Sequence, residues 1–192
     1  MAKRVIVLLA EGFEEVEAVT PIDYLRRAGV ELTTAAIGKN PAVKGSHGIQ
    51  ITADTTMESL LKEGKPDVSG WDGVVVPGGL PGSDNLAAST ETQGFLKEMG
   101  GAGRIICAIC AAPARVLAPL GLLEGKKFTC YPGEEKKVSG GEWKQERVVV
   151  DGNIITSRGA GTAGEFACAI IDMLAGPGEG KKIAEKALLA SP

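Results

Sequence analysis

The chain has 192 residues, 44% apolar and 23% charged, which suits one domain with a substantial core and a soluble surface. A formal charge of -3, a pI near 5.4 and 4% aromatic residues offer neither a basic field for phosphate backbones nor many stacking platforms, so nucleic acid is not an expected partner. The apolar run behind the basic start Met1-Ala2-Lys3-Arg4 is broken at Glu11, too soon for a secretory or membrane-spanning segment; a cytoplasmic protein with no membrane partner is expected.

Val5-Ile6-Val7-Leu8-Leu9 is a continuous apolar run of strand length, as in strands buried on both faces of a parallel sheet. A helix is predicted over 14–28, with Val16, Val19, Ile22 and Leu25 as its apolar positions, Pro21 bending it and Gly29 ending it. A strand follows over 30–37, then a short one over 49–52 whose expected partner is Ala42-Val43. Gly73-Val74-Val75-Val76 is a buried strand ending at Pro77-Gly78-Gly79. Helices predicted over 89–99 and 112–120 flank a strand over 104–109. A hairpin over 147–156 turns at Asp151-Gly152, and helices over 164–174 and 181–189 close the chain. The alternation implies an α/β fold with a mostly parallel sheet covered by helices on both faces, and no repeat or linker divides residues 1–192. Ligands bind such sheets at the carboxyl ends of the strands, which singles out segments 11–17, 77–82 and 110–113.

Four cysteines in a chain with no export signal read as thiols. Cys110 follows the strand over 104–109 directly and precedes Ala111-Ala112-Pro113, the small neighbours and early proline that a nucleophile elbow requires. At a helix N-terminus its thiolate would be stabilised and its pKa would fall below about 8.5; a small buried core thiol fits the same residues. Cys107 and Cys110 spell C-x-x-C, but with Cys107 in a strand the two α-carbons lie about 10 Å apart, beyond disulfide reach. Cys130 and Cys168 are isolated and the single His47 has no ligand spacing to them, so no metal site is expected. Cys168 reads as core, and Cys130 as a conceivable resolving thiol.

Glu14-Glu15-Val16-Glu17-Ala18-Val19-Thr20-Pro21, Arg26-Arg27-Ala28-Gly29, Val76-Pro77-Gly78-Gly79, Ala108-Ile109-Cys110-Ala111-Ala112-Pro113 and Thr156-Ser157-Arg158-Gly159-Ala160-Gly161-Thr162 occur in the order that marks the ThiJ/PfpI superfamily. The chain resembles that superfamily over nearly its whole length, in the branch of the parkinsonism-associated deglycase and bacterial YajL. The resemblance implies a flavodoxin-like three-layer sandwich, a homodimer, and Cys110 as nucleophile with Glu17 as the carboxylic acid hydrogen-bonded to its sulfur. It assigns the amides of Gly78, Gly79 and Ala111 to an anion or oxyanion pocket. Without it, Glu17 reads as a solvated residue of a first helical turn and the diglycine as an ordinary turn. Buried, Glu17 would have a raised pKa and could shuttle a proton.

Many relatives carry a histidine where this chain has Tyr131, so no Cys-His dyad forms there. His47 falls in a region near the pocket entrance and dimer interface of relatives and, with Tyr131, is expected to touch substrate. Ala111 replaces the histidine of the peptidase members, and no histidine follows residue 47 to serve an amidotransferase. The implied activity is a cofactor-independent glyoxalase or deglycase acting on methylglyoxal-type dicarbonyls or their early adducts to give 2-hydroxy acids. The alternative is a stress sensor or redox-regulated chaperone in which Cys110 is oxidised to sulfinate. A peptidase or thiamine-thiazole role is less expected.

Overall fold

The computed structural model describes residues 2–62 and 64–189; Met1 of the predicted basic start lies outside them. In chain order the elements are β1 (Arg4–Leu9), α1 (Glu15–Arg27), β2 (Glu31–Ala36), the antiparallel pair β3 (Ala42–Lys44) and β4 (Gln50–Thr52), β5 (Thr55–Thr56), and the two-residue strands β6 (Leu61–Lys62) and β7 (Lys65–Pro66). Then come β8 (Gly73–Val76), α2 (Gly82–Ala88), α3 (Thr90–Gly101), β9 (Ile105–Ile109), β10 (Lys127–Phe128), β11 (Glu142–Trp143), the hairpin β12 (Val148–Asp151) and β13 (Ile154–Ser157), α4 (Ala163–Ala175) and α5 (Glu179–Lys186).

Seven strands form the main sheet in the order β12-β13-β9-β8-β1-β2-β5, parallel throughout except for the edge strand β12. The sheet is the middle of three layers, as expected. β1 shows why its sequence is unbroken in hydrophobicity: Val5, Val7 and Leu9 join a core with α1, α4 and Ile183 of α5, while Ile6 and Leu8 join the opposite core with α3, Leu86, Val116 and Phe128. Alternate side chains of a strand point to opposite faces, so both sets must be apolar when helices cover both. Among the described residues no helix is long and apolar enough to cross a membrane.

Four expectations need correction. The inward stripe of α1 is Glu15, Ala18, Ile22 and Leu25, together with Glu17 and Pro21 beside it, whereas Val16 and Val19 are nearly half exposed. The helix over 112–120 is not a regular α-helix: residues Pro113–Leu117 form a π turn, closed by the Ala118 N–H donating to the Pro113 carbonyl, and Ala118–Leu120 form a 3₁₀ turn. Pro119 explains the break, because it has no N–H to continue an α-helical ladder. Cys168 is half-buried rather than core, since the apolar stripe of α4 runs through Phe166, Ala167, Ile170, Ile171 and Leu174 and leaves it to one side. The hairpin turns at Gly152-Asn153, one residue later than predicted, and α2 lacked the apolar periodicity that would have announced it.

Candidate active site

The chain runs from β1 to its neighbour β2 on one side and later returns to place β8 on the other, so a crevice opens where the sheet reverses its order. The segments after β1, β8 and β9 meet there, and Glu17, Gly78-Gly79 and Cys110 come from those three segments.

Cys110 has φ of 65°, a left-handed conformation that side-chain sterics disfavour by about 1–2 kcal/mol. The turn is held from both sides: the Cys110 N–H donates to the Ser157 carbonyl at 3.0 Å, and the Cys110 carbonyl accepts from the Tyr131 N–H at 2.8 Å. Cys110 is half-buried at the wall of a cavity of about 490 Å³, which it shares with Glu14, His47, Gly79, Ala111 and Tyr131.

Glu17 lies behind it, only 1% exposed. Its Oε2 accepts the Gly78 N–H at 3.0 Å, and the Cys110 thiol and the Ala160 N–H are its other hydrogen-bond donors. Burial pushes the Glu17 carboxyl up from an ordinary 4.5 to about 7, against the Cys110 hydrogen bond and with help from the nearby Glu14 charge. Gly78 has no alternative residue, because a β-carbon there would fall 2.5 Å from Glu17 Oε2 and 2.6 Å from the Cys110 β-carbon. Its amide donates to the carboxyl and so is not free for an oxyanion, in contrast to the role the resemblance implies for it. The amides of Gly79 and Ala111 are directed at the sulfur.

The expected fall in the thiol pKa is overturned. Burial first, then the charge of Glu17 and the hydrogen bond to it, push Cys110 up to about 12, against the pull of the Gly79 and Ala111 amides. The helix that follows is a π turn and a 3₁₀ turn, so its dipole contribution is small. The resting pair is a thiol donating to a buried carboxylate whose affinity for protons lies near neutrality.

The remaining cysteines do not join this pair, and all four are free. Cys107 lies inside β9, opposite Val75 and Ile155, so the C-x-x-C spelling has no structural counterpart. Cys130 is fully buried in the core on the α3 face, whereas Cys110 packs against the core on the α1 face, so it is not placed as a resolving thiol. Tyr131, 54% exposed, stands at the cavity wall with its backbone tied to the elbow. Across the cavity, Glu134 forms a two-pronged ion pair with Arg115 at 2.8 and 3.1 Å, and Arg115 also reaches Asp84 at 2.7 Å.

Sequence reasoning passed over Glu15. It is 5% exposed and holds the loop over 45–49: its Oε1 accepts the His47 N–H at 2.7 Å and the Ile49 N–H at 3.3 Å, and its Oε2 lies 2.9 Å from His47 Nδ1. Helical spacing to Ala18, Ile22 and Leu25 was the available signal. Burial alone would raise the Glu15 carboxyl, but the hydrogen bonds from the His47 side chain and loop amides outweigh it and hold the carboxyl at about 2. Glu14, Glu15 and His47 offer ligand atoms within 4.8 Å of one another, and both Glu15 oxygens are already committed to protein donors.

A cysteine raised on a left-handed turn at the carboxyl edge of a doubly wound sheet, with a buried carboxyl behind it, defines an α/β protein of the cysteine-elbow class. Within that class the chain belongs to the DJ-1/PfpI family, whose model matches residues 3–173. It is 41% identical over 177 residues to the Parkinson disease protein 7 homolog of Danio rerio, covering 91% of this chain and 90% of that one. The crystal structure of Drosophila melanogaster DJ-1beta superposes with a TM-score of 0.91 at 39% identity, covering all of both chains. A protein of Pyrococcus abyssi named a deglycase is 32% identical over 157 residues, 81% of this chain and 89% of that one.

Proposed function

We propose that the chain is a cofactor-independent glyoxalase or deglycase whose nucleophile is Cys110 and whose base is Glu17. The observation that carries this reading is the hydrogen-bonded thiol–carboxyl pair opening onto a cavity of about 490 Å³, with the Gly79 and Ala111 amides directed at the sulfur. A group titrating near neutrality is suited to take a proton and give it back within one turnover. The deglycase name of the Pyrococcus abyssi relative supports the same reaction class.

Cys110 sulfur adds to the aldehyde carbon of methylglyoxal as its proton passes to Glu17, and the two amides hold the developing oxyanion. Glu17 returns the proton to that oxygen, giving a hemithioacetal. Glu17 then takes the proton from the former aldehyde carbon and delivers it to the adjacent ketone carbon, while the hydroxyl proton of the first carbon passes to the ketone oxygen, which converts the hemithioacetal to a 2-hydroxy thioester. Water hydrolyses the thioester, releasing lactate and the Cys110 thiol. The loss of methylglyoxal and formation of lactate measure the reaction; equal rates for wild type and Cys110→Ala would overturn it. The rate is expected to rise with pH through about 7, as Glu17 becomes the carboxylate the first step needs.

A further inference from the structure

Proton transfer between two carbons needs a second group to serve the oxygen on the carbon that accepts the hydrogen. The structure assigns that work to His47, oriented by Glu15 from the N-terminal turn of α1. This assignment rests on the reaction proposed above.

The geometry has the form of a carboxylate–imidazole dyad. Glu15 is buried and ionised, so its oxygens only accept hydrogen bonds. Its Oε2 sits 2.9 Å from His47 Nδ1, which fixes the ring hydrogen on Nδ1 and leaves Nε2 as the nitrogen available to the cavity that His47 lines with Cys110. The backbone is fixed as well, because the same carboxylate accepts the His47 and Ile49 amides, and Gly45 makes room for it where a β-carbon would collide with the carboxyl. The His47 side chain is 72% exposed, yet it is held at both its backbone and its ring on the wall of the cavity it shares with Cys110.

The charged and titratable groups around His47 are Glu14, 3.9 Å away, and Glu15 on the α1 side, and Cys110, Tyr131 and Glu134 on the cavity side. Glu134 is neutralised by Arg115 and Lys137. The hydrogen bond and charge of Glu15 raise the imidazole above its ordinary 6.5, which favours the protonated ring near neutrality.

In the rearrangement, Glu17 removes the proton from the hemithioacetal carbon while the ketone oxygen takes the Nε2 proton of His47, giving an enediol bonded to sulfur. Glu17 then returns its proton to the second carbon, and the first hydroxyl gives its proton to Nε2 as its carbonyl forms. Both residues end in the states in which they began, and the product is the 2-hydroxy thioester. His47 is thus a catalytic residue, and Glu15 a positioning residue acting through it.

Because the sequence has one histidine, imidazole signals in nitrogen-15 NMR of the full chain belong to His47 alone. The neutral ring is expected to carry its hydrogen on Nδ1 and to titrate above 6.5, with the midpoint falling back toward 6.5 in Glu15→Gln. With methylglyoxal, His47→Gln is expected to lower kcat about a hundredfold with KM little changed, and to lose the limb of the pH profile that follows the imidazole. A neutral ring protonated on Nε2, or a midpoint at or below 6.5, would overturn the dyad. Cys110-dependent turnover that is unchanged in His47→Gln would overturn the relay alone, whereas absence of any Cys110-dependent turnover would defeat the reaction itself and the relay with it.

Discussion

Glu17→Gln offers a test of the site that does not depend on the substrate. The substituted amide can still accept the Gly78 N–H through its carbonyl oxygen, but it carries no charge to bury. In the native protein Glu17 binds its proton with a pKa of about 7, against an ordinary 4.5 in the unfolded chain. Between these values the native state holds more protons than the unfolded state, so this group's contribution to stability falls as pH rises. It is fully present below 4.5 and lost as pH passes about 7. The difference between the two values corresponds to about 3 kcal/mol. Urea unfolding of wild type and Glu17→Gln across this range should therefore show the variant gaining about 3 kcal/mol relative to wild type from pH 4.5 to about 8. Other titrating groups are common to both proteins and cancel in the difference. A difference that stays constant across the range would refute the buried, proton-sharing role of Glu17.

At the elbow, Cys110→Gly should be about 1 kcal/mol more stable than Cys110→Ala in urea unfolding, because glycine adopts a φ of 65° without the steric cost that alanine retains; equal stabilities would mean the turn is unstrained. Gly78→Ala should cost about 1–3 kcal/mol and remove methylglyoxal turnover, since the new methyl would separate Glu17 from Cys110; near wild-type stability and rate would show that the turn can yield. Mild peroxide should oxidise Cys110 ahead of the buried Cys107 and Cys130, with sulfinate read by mass spectrometry. That product without dicarbonyl turnover would favour a redox sensor over an enzyme.

The parts of the fold written in local patterns were legible. β1, β8 and β9 are short apolar runs, and Cys110 was identified as an elbow from the strand before it and the small residues after it. The pattern misleads in α1, where valines at helical spacing mark out a core stripe although glutamates occupy part of the inward face. Polar residues face inward there because their partners come from elsewhere in the chain: Gly78 is 61 positions from Glu17, and His47 is 32 from Glu15. No local rule reports such pairs. For the same reason the direction of the thiol's pKa was misjudged, since the helix terminus was visible in the sequence whereas the burial and the opposing carboxylate were not. Pro119 could have warned that the helix after the elbow would not be regular.

The bond from the Cys110 amide to the Ser157 carbonyl has a consequence for biosynthesis. Glu17 and Cys110 are both synthesised before β13, the strand whose Ser157 carbonyl anchors the elbow. Until β13 pairs with β9, the turn lacks that anchor and the Ala160 amide that completes the Glu17 site. A nascent or truncated chain that stops short of β13 thus carries Cys110 on a turn without its Ser157 anchor, and the elbow is completed only as the last part of the sheet closes.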